Sequence, residues 1–375
     1  MPTTPIPQVD PLPLPGPVWL FTALLLVVFT LHVLAMNSAL GGGLWTLWNY
    51  VRGRRSGHPY SHRLAGELAA FLPTFLAFTV TLGVAALLFV QVLFGNFLYT
   101  SSILLASFWL LVIPLVMVAY YGFYYFTNTA KYGKGISGCV LACSLCVLLA
   151  IAFIFVNNMT LMLIPERWLA MYRAHPNGWN LNLGDSELVP RYLHVVNGAI
   201  AVFSAILAMV GMNRMKTDRE YGKWLVQRAA LVFAICTGLQ FLLGMWLLLA
   251  IPREIVLSLL RDPLGGAVLG LALVAVIAAM LLILLGSLAE KPSRLVYAGF
   301  AMSIVTLLLM VSLRYLLRLA YLKPYVHLGA LSIAPQVGVI AVFLVLFVGG
   351  LITVAYMLRL MMRNGATQHK TVSIG

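Results

Sequence analysis

Apolar residues in this chain run together in nine long stretches, each close to the roughly 20 residues that carry an α-helix across the hydrocarbon of a bilayer. They are Val18–Leu40, Leu72–Phe94, Ile103–Tyr125, Gly138–Val156, Tyr192–Met212, Leu225–Ile251, Leu264–Leu285, Leu295–Leu313 and Val337–Leu358. The pattern predicts an all-α, polytopic transmembrane bundle of about nine spans, because helices satisfy their own backbone groups in lipid. Polar breaks divide it into an extended tail at 1–17, a six-helix region at 18–251, three further helices at 252–358 and a basic tail at 359–375. Pro73 and Pro114 predict kinks in the second and third spans, and Gly41-Gly42-Gly43 reads as the end of the first helix.

Composition and charge narrow this. At 62% hydrophobic and 9% charged, with a mean hydropathy of +0.98, the chain has too few polar residues to coat a water-soluble surface. The Pro-rich tail lacks the basic start of a cleaved signal peptide. With the N-terminus outside, sixteen of the 24 Lys and Arg fall in inner segments with four of the ten acids, a net +12 inside against +2 outside. The positive-inside rule therefore selects N-out, C-in. The basicity suits anionic lipid headgroups and calls for no nucleic-acid partner. Every Asp and Glu lies in a loop or at a helix end, so no acidic proton path crosses the bilayer and proton pumping is disfavoured.

Two histidines do lie inside spans, where an imidazole is costly unless its nitrogens are occupied. At about 1.5 Å per residue, His194 is roughly 5 Å below the outer boundary and His32 roughly 21 Å below it. Either heme iron or a hydrogen bond to a neighbouring helix would satisfy them. Two ligands so separated in depth cannot flank one iron, so heme at both means two sites. Met245 and Met310, near the outer ends of the sixth and eighth spans, are candidate partners for His194. Met280 and Met117 lie at the depth of His32, and His327 lies just outside the eighth span.

Other groupings point to packing or to lipid. Cys139, Cys143 and Cys146 share one face of the fourth span and read as small residues in a helix interface. His58 and His62 share a helical face in a basic inner loop that reads as an anionic-lipid contact. Pro165–Arg173 reads as an amphipathic interfacial helix anchored by Trp168 and Tyr172, with Trp179, Asp185 and Glu187 forming a polar cap above His194. The chain has no Cys-x-x-Cys-His, hence no covalent heme.

Five motifs follow in order: Leu-His32-Val-Leu-Ala-Met-Asn-Ser-Ala-Leu-Gly-Gly-Gly; Gln91-Val-Leu-Phe94-Gly95-Asn96-Phe97; Gly122-Phe-Tyr-Tyr-Phe with a Lys131-Tyr-Gly-Lys134 turn; Phe155-Val-Asn157-Asn158-Met; and Arg191-Tyr-Leu-His194-Val-Val-Asn-Gly-Ala. Together they resemble subunit I of the cytochrome bd quinol oxidases over the first six helices, about two-thirds of the chain. The resemblance implies heme b at His194, a second heme at His32, cofactor contacts at Asn96 and Asn157, a quinone or quinol substrate, and a multi-pass place in the cytoplasmic membrane of a prokaryote beside other respiratory subunits. The departures matter as much. Where the oxidases carry glutamates in the third helix, this chain reads Leu111-Val-Ile-Pro114-Leu-Val-Met117, and their late Glu and Arg-Gln-Pro-Trp give way to Arg318-Leu-Ala-Tyr-Leu-Lys323-Pro324-Tyr325. Their Arg-x-Met pair at the seventh helix is missing, and their long quinol-binding loop shrinks to Pro252–Pro263.

The expectation is a membrane b-type cytochrome subunit moving electrons between the quinone pool and an outer-side c-type cytochrome or dehydrogenase, without reducing oxygen. The alternatives are a heme-free bd-like scaffold for a respiratory complex and a true quinol oxidase.

Overall fold

The computed structural model describes residues 13–129, 136–291 and 293–372, so the first twelve residues of the tail and the Lys131–Lys134 turn lie outside the described residues. Twelve α-helices follow one another: α1 (Val18–Ser56), α2 (Pro59–Ala69), α3 (Leu72–Leu104), α4 (Ala106–Thr129), α5 (Ser137–Leu161), α6 (Trp168–Ala174), α7 (Leu188–Arg214), α8 (Arg219–Ala250), α9 (Arg253–Arg261), α10 (Pro263–Ser287), α11 (Arg294–Leu322) and α12 (Val337–Val372). Nine of them are long and apolar enough to cross a membrane, and among the described residues there is no β-strand. The chain is a multi-pass, all-α membrane protein.

Each spanning helix outruns its apolar stretch at one or both ends, because a helix leaving hydrocarbon keeps its backbone bonds and stops only where something else takes over the terminal groups. Side chains do so at several starts. His58 Nδ1 accepts from the Ser61 amide at 3.3 Å, with Pro59 in the first turn of α2. Asp218, Asp262 and Ser293 accept from amides two or three residues on and cap α8, α10 and α11.

Three expectations are corrected here. Gly41-Gly42-Gly43 does not end a helix: α1 continues through it to Ser56, and the glycines form a groove for other helices. A Cβ on Gly41 would lie 2.2 Å from the Ala199 carbonyl oxygen of α7, one on Gly42 3.0 Å from the Phe203 ring, and one on Gly43 2.5 Å from Leu145 of α5. Close backbone approach through small residues is how membrane helices gain contact without a hydrophobic driving force. Nor does Pro73 kink a span. It sits in the first turn of α3, where its missing N–H costs nothing, and the non-helical residue inside α3 is Phe94; Pro114 lies inside α4. Finally, Cys139, Cys143 and Cys146 are exposed on α5 and do not pack between helices.

The chain divides into two units. In the first, which takes in Thr22–Val326, the hairpins α4–α5, α7–α8 and α10–α11 pack most extensively. One core is built on Phe203, Leu207, Leu225, Ile283 and Val296, and another on Leu72, Phe123, Phe126 and Leu141. The second unit, Asp10–Phe21 with His327–Gly375, holds α12 and a short parallel bridge of Leu14 with Ile333, in which the Leu14 amide donates to the Ser332 carbonyl at 2.8 Å. His327 belongs to this unit and is exposed.

Candidate functional site

Glycine seats both intramembrane histidines. His32 of α1 packs against α3 so closely that a Cβ on Gly83 would lie 2.8 Å from its Cε1, and its Nδ1 is 3.0 Å from the carbonyl oxygen of Thr79. A carbonyl only accepts, so Nδ1 carries the proton and Nε2 keeps the lone pair. Phe29, one turn earlier, holds its ring 5.9 Å from the imidazole.

His194 of α7 faces Gly244 of α8, where a Cβ would stand 3.7 Å from Cε1. Its Nδ1 is buried and has no hydrogen-bond partner among the described residues. α7 begins at Leu188, so the ring lies about 9 Å along the helix from its start. The seam beside it is polar: Gln240 Nε2 donates to the His194 carbonyl at 3.0 Å, and Asn197 Nδ2 donates to Gln240 Oε1 at 2.6 Å and to the Cys236 carbonyl at 2.9 Å.

The other candidates fall elsewhere. Met245, beside Gly244, turns outward and is 58% exposed, so the residue that α8 presents to His194 is the glycine. Met280 packs against the core of α7, α8, α10 and α11, Met310 is half-buried, and Met117 is exposed. Asn96 is exposed on α3. Asn157 is wholly buried and anchors the loop after α5: its Oδ1 accepts from the Asn182 amide at 2.8 Å and its Nδ2 donates to the Phe153 carbonyl at 3.1 Å.

That loop holds a short helix, α6, where an amphipathic one was expected, though Trp168 points inward. It is 2% exposed and donates from Nε1 to the Leu161 carbonyl at 2.9 Å, while Tyr172 stays exposed. Tyr325, past the end of α11, donates to Glu166 at the start of the loop; burial, then this carboxylate, push its hydroxyl up to about 12. Glu187 is no open cap residue either. It is 5% exposed and accepts from both Arg191 and Tyr321.

In the basic loop expected to face lipid, Arg54, Arg55 and His62 are exposed, while the residues beside it are engaged within the protein. Arg63 pairs with Asp218 at 2.5 Å and with Glu67 at 3.0 Å, Tyr221 donates to Glu67 at 3.2 Å, and His58 stacks on Trp224 at 5.5 Å.

Sequence reasoning missed Arg314 and Arg318, which it counted among the outer loop charges. The helix does not stop at Leu313: α11 continues to Leu322 and carries both guanidiniums inside the bundle, over the Phe29 ring at 4.9 Å and the Phe94 ring at 5.2 Å. Their i, i+4 spacing among leucines and tyrosines was the available signal, since it places both on one helical face. With Arg191, Met159, Leu163 and Leu317 they line a small cavity.

Taken together, each imidazole has a ring nitrogen without a hydrogen bond among the described residues, and Arg314 of the cavity wall lies over the same Phe29 ring that meets His32. No protein-family model matches this chain, and no curated protein matches it. Among solved structures, it is similar to the bd oxidase from Geobacillus thermodenitrificans, with a TM-score of 0.64 and 15% sequence identity over 94% of this chain and 100% of that chain. At that identity the likeness shows a bd-like fold.

Proposed function

We propose that this chain is the b-type cytochrome subunit of a respiratory membrane complex, akin to bd subunit I, passing electrons between the quinone pool and an outer-side c-type cytochrome or dehydrogenase without reducing oxygen. One observation carries the reading: within a bd-like fold, each of two imidazoles in candidate spans keeps a ring nitrogen without a hydrogen-bond partner among the described residues. His32 commits its proton to the Thr79 carbonyl, which leaves the neutral tautomer with a lone pair on Nε2, the form and the backbone bond that metal-ligating histidines use. A buried nitrogen left unpaired costs about 1–3 kcal/mol, which ligation of an iron offsets.

Bound at these nitrogens, heme b supplies a one-electron carrier whose potential is set by its ligands and by nearby charge. The chain's own part is to fix the imidazole planes through Gly83 and Gly244, to exclude water with apolar helix faces, and to set the field with Arg191, Arg314 and Arg318. The segments matching the oxidases' acidic positions, Leu111–Met117 and Arg318–Tyr325, carry no carboxylate, which supports electron transfer over oxygen reduction.

A second reading, a heme-free scaffold, draws support from the tightness of the His32 seat, where Gly83 leaves the ring no slack on its α3 side. A reduced-minus-oxidised absorption spectrum with pyridine extraction separates the two, repeated for His194→Ala and His32→Ala. A b-type signal that falls in each variant supports the cytochrome. Properly folded complex without heme refutes it and leaves the scaffold.

A further inference from the structure

A glutamine stands within the candidate span of α8, where lipid tails offer its carboxamide nothing to bond. Gln240 commits both ends of that group to α7. Its Oε1 accepts from Asn197 Nδ2 at 2.6 Å, and its Nε2 donates to the main-chain carbonyl of His194 at 3.0 Å. Asn197 is 8% exposed and also donates to the Cys236 carbonyl at 2.9 Å, so it is anchored on α8 and decides which end of Gln240 faces His194.

The backbone is shaped around this bond. Gly198, one turn after His194, leaves room for the carboxamide: a Cβ there would lie 3.2 Å from Gln240 Nε2. Gly244, one turn after Gln240, leaves room for the imidazole. Each helix thus sets a glycine against the other's polar side chain, and Cys236, Gln240 and Gly244 recur at every fourth residue along the face of α8 that meets α7.

The two histidines are held differently. His32 is oriented by its own ring, whose Nδ1 donates to the Thr79 carbonyl, as the second nitrogen of a metal-ligating histidine commonly does. The Nδ1 of His194 has no such tether among the described residues. Its ring angle follows from the rotation of α7 about its own axis, and Gln240 grips α7 at His194 itself. Mere helix glue could bond any carbonyl along the seam.

We propose that Gln240, aimed by Asn197, is a positioning residue that sets the angle of the His194 imidazole toward the heme through the His194 backbone, which rests on the b-type cytochrome reading. The orientation of an axial imidazole plane splits the iron orbitals, so it is read in the electron paramagnetic resonance of the ferric heme.

The experiment takes the full chain in its complex, as wild type, Gln240→Leu, Gln240→Glu and Gly211→Ala, and reads heme per chain, ferric g values and midpoint potential. Gln240→Leu should shift the g values and the potential and lower heme retention. In Gln240→Glu the protonated carboxyl donates to the His194 carbonyl and accepts from Asn197, whereas the ionised form only accepts. That variant should match wild type at low pH and move toward Gln240→Leu as the pH rises. Gly211→Ala strains the same helix pair about 25 Å along α7 from His194, where its Cβ would lie 2.8 Å from Val226 Cγ2, and should change stability without a spectral shift.

Wild-type g values and potential in Gln240→Leu overturn the proposal, and so does an equal shift in Gly211→Ala, which would make Gln240 ordinary glue. If Gln240→Leu does not fold, Gln240→Glu decides, and a signal independent of pH overturns the role. Absence of heme from the wild type means that the cytochrome reading has failed and takes this role with it. Heme present, with an unmoved spectrum in Gln240→Leu, removes the role alone.

Discussion

Replacing Gly41 with Ala puts a methyl where the backbone of α7 already runs. The new Cβ would fall 2.2 Å from the Ala199 carbonyl oxygen, 2.8 Å from its carbonyl carbon and 2.9 Å from Phe203 Cβ. None of these is the end of a flexible side chain, so α1 and α7 must part by roughly 1 Å to restore ordinary contact, and overpacking of this kind costs about 1–3 kcal/mol. The strain reaches the next contact on the seam, where Trp45 Nε1 donates to Ser204 Oγ at 3.0 Å, a bond worth about 1 kcal/mol. Alanine returns up to about 1 kcal/mol of helix propensity, so the net loss should be near 2 kcal/mol. The assay is SDS or thermal unfolding of purified protein in one fixed detergent. Gly66→Ala is the internal control, because Gly66 lies exposed on α2 with nothing within 4 Å of its Cβ position and should gain about 0.5–1 kcal/mol. Gly41→Ala as stable as wild type would refute the close approach of α1 and α7.

Three further outcomes follow from single contacts. Asn157→Ala leaves the buried Asn182 amide without its acceptor and should destabilise by about 1–3 kcal/mol, checked by unfolding and by faster proteolysis of the loop after α5. The Arg63 hydrogen bond beside Asp218 holds its carboxyl below the ordinary 3.8, so the pair adds stability above that pH and loses it as the pH falls further, through the folded value. Asp218→Asn should flatten the stability profile below pH 3.8 and change little at pH 7 beyond a constant offset, as an acid titration of the unfolding midpoint would record. His194→Ala should remove a b-type absorbance while leaving the elution profile of the complex intact, since Gly244 faces the ring without depending on it.

Much of the architecture was legible from the chain alone. Nine apolar runs became nine candidate spans, because hydrocarbon penalises any unpaired backbone group and leaves only the helix for a segment of that length. The short helix after α5 and the place of His32 and His194 within candidate spans were equally visible, since each depends on local pattern. Helix ends were not legible, because hydropathy marks where lipid begins and caps mark where the helix stops. Asp218, Asp262 and Ser293 decide the latter.

What only the tertiary structure decided is which face of each helix meets which neighbour. From sequence, Met245 and Gly244 are equally near His194 in depth; a rotation of about 100° per residue sends one outward and the other against the ring. Gly41-Gly42-Gly43 looked like a terminus and is an interface, because small residues either end a helix or admit another one. Arg314 and Arg318 looked like loop charges past an apolar run. Packing carries them into the bundle instead, where Glu187 and Arg191 already answer each other and two positive charges are left over. Composition and periodicity determine that a segment lies in the membrane. The sum of charges facing one cavity depends on contacts between helices far apart in sequence.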